Sequence, residues 1–118
     1  MNNRLLSSSS LEGTDVRNNL GESLGDIKDL MINTRTGKVE YAVLSFGGFL
    51  GMGDKYFAIP WNAFDVDRMH EEMVLDIPRE TLEKSPGFDK DNWPTTANHA
   101  YFDSVNQHYR QYITQPVS

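Results

Sequence analysis

No cysteine occurs among the 118 residues, which removes disulfide frameworks, thiolate zinc sites and cysteine nucleophiles together. Positive charge is scarce too. Eleven Lys and Arg stand against seventeen Asp and Glu, for a net charge of −6, and a pI near 4.9. The basic residues are scattered, so a surface that tracks a phosphate backbone is disfavoured. No apolar run approaches the roughly 20 residues that span a bilayer. The opening Met-Asn-Asn-Arg-Leu-Leu-Ser-Ser-Ser-Ser is too polar for a secretory signal. The expectation is a cytoplasmic protein with no membrane span, its length that of one domain with a core able to stand without staples.

What is present is a hydrophobic hairpin. Val39–Phe46 and Tyr56–Trp61 are rich in β-branched and aromatic residues, which predicts two strands. On the first, Val39, Tyr41 and Val43 face one way and Ala42, Leu44 and Phe46 the other. Both faces are apolar, as in a small sheet that curls on itself and is covered from outside. The loop between them interleaves Gly47, Gly48, Gly51 and Gly53 with Phe49, Leu50 and Met52. Three large apolar side chains on a loop must be tucked under the sheet or offered to a partner.

Around this hairpin the chain divides into a flexible leader (1–10), a barrel domain (11–94) and a helical tail (95–118). The four-serine run of the leader resists regular structure. Leu11–Val16 is a short strand, and Asn18, Asn19 and Gly21 mark a turn. Gly25–Ile32 is a strand whose apolar residues fall out of step near Asp29, the mark of a bulge. Asn33–Lys38 is a hairpin loop into the central strand. Asn62–Asp67 and Met73–Ile77 form another hairpin with Phe64 and Val66 on one face, and Arg79–Lys84 makes a helical turn after Pro78. The predicted fold is therefore mainly β, a small antiparallel barrel, with that short helical turn and a C-terminal amphipathic helix. Thr95 or Thr96 caps this helix, which runs from about Ala97 to Ile113 with Tyr101, Val105 and Tyr109 at helical spacing.

The quoted segments carry a family resemblance. Gly21–Ile32, then Gly37–Gly51, Asp54–Trp61 and Pro86-Gly87-Phe88-Asp89-Lys90-Asp91-Asn92-Trp93-Pro94 together resemble the PRC-barrel family. That family includes the cytoplasmic domain of the photosynthetic reaction centre H subunit, the C-terminal domain of a ribosome maturation factor and many small stand-alone bacterial proteins. The resemblance implies a small β-barrel used as an interaction module, without catalytic residues to carry over, and a dimer is the expectation that goes with it.

Residue by residue, no competing chemistry outweighs that reading. The glycine loop departs from a dinucleotide fingerprint because a strand follows it, and from a P-loop because Asp54 precedes Lys55 and no Ser or Thr follows. Asp89-Lys90-Asp91-Asn92 begins like a calcium loop but has Pro94 where glycine is required. Asp65 and Asp67 read as a solvated edge rather than an acid–base pair. His99 and His108 are not at the i, i+4 spacing of zinc helices, and His70 sits in a charged turn. Ser45 reads as a packing residue in a strand. Trp61 is expected to fill the barrel end and Trp93 to pin the tail.

The function expected is that of a non-enzymatic interaction or adaptor module with no cofactor and no catalytic or metal-binding residue. Its partner is a protein, and it self-associates as a homodimer. Phe49, Leu50, Met52, Tyr101 and Tyr109 are the candidate interface residues. The three loop side chains would each contribute about 1.5–3 kcal/mol if fully desolvated, against several kcal/mol of association entropy. An RNA- or ribosome-associated accessory role is the alternative, by analogy with the maturation factor.

Overall fold

The computed structural model describes residues 6–46, 55–67, 69, 71–89, 93–94 and 99–113. The sheet is built from β1 (Asp15–Arg17), β2 (Ser23–Asn33), β3 (Lys38–Phe46), β4 (Lys55–Pro60), β5 (Phe64–Asp67) and β6 (Glu72–Leu75). Three helices flank it: α1 (Ser8–Leu11), α2 (Arg79–Glu83) and α3 (His99–Tyr109). The strand order is β4-β3-β2-β1-β6-β5. The sheet is thus a curled half-barrel with β4 and β5 at its edges, linked in sequence by the 3-10 turn Trp61–Ala63.

The β2–β3 hairpin forms where expected, tightened by Asn33, whose side-chain oxygen accepts the amides of Arg35 at 2.9 Å and Thr36 at 3.3 Å. This local bond stands in for a backbone turn. The register of β2 slips between Ile27 and Asp29, at the predicted bulge. Gly25 sits in β2 with φ of +120°, and a Cβ there would overlap the carbonyl oxygen of Ser45 on β3. Only glycine permits both that conformation and that approach.

Two expectations need correction. The sheet is not antiparallel throughout, because β1 runs parallel to β6 with Val16 opposite Met73. Strands joined by so long a connection have no tight turn to force them antiparallel. The serine run does form regular structure. Ser7 caps α1, accepting the Ser10 amide at 3.2 Å, and the turn delivers Leu11 into the core. Serine is a poor helix interior but a strong N-cap, and a buried leucine supplies what propensity does not.

From Ala42 to Phe46 every residue of β3 is buried, and the two faces go to different clusters. Ala42, Leu44 and Phe46 join Val16, Leu24, Ile27, Phe57, Ile59 and Leu75 in the main core. Val43 packs on the other face with Tyr56, Ala58 and Phe88. The tail covers this second face. Phe88 exchanges both backbone hydrogen bonds with Tyr56, at 2.9 and 2.8 Å, adding a bridge beside β4. Trp93 then packs on Tyr56 and Phe88, with ring centroids 5.6 and 5.1 Å apart. α3 docks on its own chain, placing Val105 and Tyr109 in the main core and Tyr101 and Phe102 against the outer cluster.

Candidate binding groove

At the β5–β6 end of the half-barrel the core opens to solvent. β5 and β6 pair with Val66 opposite Met73 and Asp67 opposite Glu72. Met73 is sealed, but Val66 on the edge strand remains 40% exposed. α1 and the segment before it lie across this opening and bring Leu6 and Leu11 to it. The result is a groove of about 480 Å³ whose apolar wall is Leu6, Leu11, Val66 and Met73. Asp67, Glu71 and Glu72 supply its charged rim. Glu71 occupies the hairpin turn with φ of +55°, a left-handed conformation uncommon away from glycine.

Among the described residues, Arg17 organises the rim. Arg17 on β1 donates through Nη2 to Asp67 at 2.7 Å and through Nε to Glu72 at 2.8 Å. The hydrogen bonds to Glu72 and then Asp67 push the Arg17 guanidinium further above its usual range. The solvated-edge expectation for Asp67 therefore gives way to an ion pair joining three strands. Glu71 is not part of it.

A second polar pair lies where α3 meets the end of α2. Ser85, 4% exposed, is 2.8 Å through Oγ from His108 Nε2. This spacing suits a serine nucleophile, but the same hydroxyl donates to the Thr81 carbonyl at 2.9 Å. Its single proton is committed there, so His108 is the donor to Ser85 and the pair fastens α3 rather than activating an attack. Among the described residues no group of three or more His, Cys, Asp and Glu is placed to hold a metal.

The predicted interface residues fare unequally. Phe49, Leu50 and Met52 lie outside the described residues, as do the rest of the Gly47–Gly53 loop, Thr95, Thr96 and His70. Tyr101 is half-buried, with its ring 6.1 Å from Phe88 and 5.4 Å from Phe102. Tyr109 is fully buried in this chain's own core, so in this arrangement it has no surface to offer a partner. Burial pushes the phenols of Tyr109, Tyr101 and Tyr41 up. The groove itself was not read from the sequence. Its signal was Leu5-Leu6 ahead of a serine cap, since an apolar residue before an N-cap commonly packs back on the fold.

A family model described as the PRC-barrel domain matches residues 4–82, about two-thirds of the chain. The chain belongs to the PRC-barrel family. Among solved structures it is similar to a protein assigned to 16S ribosomal RNA processing, RimM, from Pseudomonas aeruginosa, at 20% identity and a TM-score of 0.43. That similarity covers 64% of this chain and 45% of the RimM chain, so the chain spans less than half the length of that protein. No curated protein matches the sequence. The PRC-barrel match includes every described residue that lines the groove and stops at residue 82. Phe88, Trp93 and α3 therefore lie beyond it. Among the described residues no helix is long and apolar enough to cross a membrane.

Proposed function

We propose that this PRC-barrel chain is a non-enzymatic interaction module that holds a protein partner and self-associates in the cytoplasm. The observation that carries this reading is the groove at the mouth of the half-barrel, where Leu6 and Val66 stay in water although the core lies directly behind them. Exposed apolar surface gathered at a concave site marks a binding surface more often than a packing defect. Affinity capture with the intact chain and with Val66→Asp tests it. A partner retained by the first and lost from the second supports the reading, and an identical set on both baits ends it.

Self-association rests on the composition of the Gly47–Gly53 loop. Phe49, Leu50 and Met52, together with the half-buried Tyr101, make the interface proposed here. Sedimentation at micromolar concentrations should show a dimer that Phe49→Asp dissociates. A monomer throughout, unchanged by that substitution, removes this part.

An RNA- or ribosome-associated accessory role is the second reading, favoured by a family that includes a ribosome maturation factor domain. The acidic balance argues against direct contact with RNA. Filter binding at low salt separates the two, because absence of RNA retention leaves only the protein-binding reading.

A further inference from the structure

The wall and the rim of the groove differ in chemistry, and together they specify an occupant. The described residues include five exposed large apolar side chains, and three of them gather at this end: Leu6 at 49%, Val66 at 40% and Met69, in the β5–β6 turn, at 87%. An aliphatic side chain laid against this wall would remove apolar surface from water on both partners. The rim is acidic. Asp67, Glu71 and Glu72 face the groove, while the described cation among them, Arg17, already bonds Asp67 and Glu72. Among the described residues three carboxylates stand against one guanidinium, with Glu71 outside the Arg17 network.

That charge discriminates among occupants. A second copy of the chain carries a net −6 and would bring mostly like charge. A nucleic acid would be repelled for the same reason. A small amine would use the rim but leave Leu6 and Val66 wet. A peptide that interleaves aliphatic and basic side chains satisfies both surfaces, and about 480 Å³ accommodates a few side chains.

Resting on the reading of the chain as a protein-binding module, we propose that this groove takes an extended peptide segment of a partner protein. In it an aliphatic side chain packs against Leu6 and Val66, and a flanking Lys or Arg pairs with Glu71. Specificity comes from the rim, because a like charge placed there is rejected rather than merely unrewarded.

Three fluorescein-labelled six-residue peptides test this by anisotropy with the full chain: alternating Lys and Leu, alternating Glu and Leu, and alternating Lys and Ser. The Lys/Leu peptide should bind at least about tenfold more tightly than the other two, and less tightly as salt is raised. Glu71→Lys, on an exposed turn, and Val66→Asp should each weaken it about tenfold, with unchanged circular dichroism showing that the fold persists. Equal binding of the Glu/Leu peptide, binding indifferent to both substitutions, or no binding by any of the three overturns the inference. In each of these cases the broader protein-binding reading is decided separately, by whether Val66→Asp loses a captured partner.

Discussion

Asn18, in the turn between β1 and β2, and Tyr109, at the end of α3, are both polar side chains sealed from water, and their surroundings are opposites. Asn18 uses its whole side chain. Nδ2 donates to Glu22 Oε1 at 2.7 Å and to the Ile77 carbonyl at 3.0 Å, and Oδ1 accepts the amides of Leu20 and Glu22, each at 3.0 Å. Tyr109 is as deeply buried, yet its hydroxyl, close to Ser85, has no hydrogen bond of good geometry, and neither has that of Tyr101. The first site lies within the stretch matched by the PRC-barrel model and the second beyond it. Inside the family's domain a buried polar group ties the β1–β2 turn to the segment after β6. In the tail, burial is achieved with rings whose polar ends are left over. A buried polar group stabilises only when its partners are complete, so these two sites should answer mutation in opposite senses.

Asn18→Ala should give the largest effect. It removes four hydrogen bonds, stranding the buried Ile77 carbonyl and leaving the part-buried Leu20 and Glu22 amides without these partners. The expected loss is about 2–4 kcal/mol, since each stranded buried group costs about 1–3 kcal/mol and water reaches some of them. Urea denaturation reads it directly. A loss below about 0.5 kcal/mol, within the range of ordinary surface substitutions, would show that the turn is held by its backbone alone and dissolve the contrast.

Glu22 sharpens the comparison through pH. The Asn18 side chain, and after it the Arg79 amide at 3.1 Å, hold its carboxyl below the usual 4.5. Because the folded form is the stronger acid, the stabilisation is present above pH 4.5 and disappears as pH falls through the lower folded value. Glu22→Gln should therefore be less stable than the parent at neutral pH, with the two converging in acid. Thermal midpoints between pH 7 and pH 3 test this, and parallel curves over the whole range would mean that the carboxylate charge contributes nothing to the turn.

Part of this was legible from residue order and part could not be. The β2–β3 hairpin, the bulge near Asp29, the two-faced burial of β3 and the C-terminal helix follow from local patterns: alternation, a broken phase, an Asx turn and a helical period. Trp93 was expected to pin the tail and does pack on Phe88 and Tyr56. What escaped depends on distant partners. Val16 meets Met73 in a parallel pair, Asn18 reaches Ile77, and Ser85 meets His108, none of which leaves a periodic trace in either segment. Val66 shows the limit of a face assignment. It shares the inner face with Phe64, as alternation requires, but it sits where the sheet runs out, so Phe64 is sealed and Val66 becomes groove. Edges are set by topology, which alternation does not encode.

Tyr109→Phe separates the two sites most finely because its expected effect at neutral pH is the smallest. The ring stays in place and only the hydroxyl leaves, so an unpartnered buried group is removed without a cavity. Stability should be unchanged or rise by up to about 1 kcal/mol. The alkaline side then supplies a sign that packing alone would not. Burial raises the folded phenol above its ordinary value of 10.0, so its stabilising contribution is complete below pH 10 and is lost as pH rises and the unfolded chain ionises first. The substituted chain should lose less stability than the parent between pH 9 and pH 11, with Tyr101 and Tyr41 supplying the residual slope because their phenols are raised in the same direction. If Tyr109→Phe instead costs 1 kcal/mol or more at pH 7, a typical hydrogen-bond contribution, the hydroxyl has a working partner in solution. The α3 seam would then be built on the same terms as the Asn18 turn.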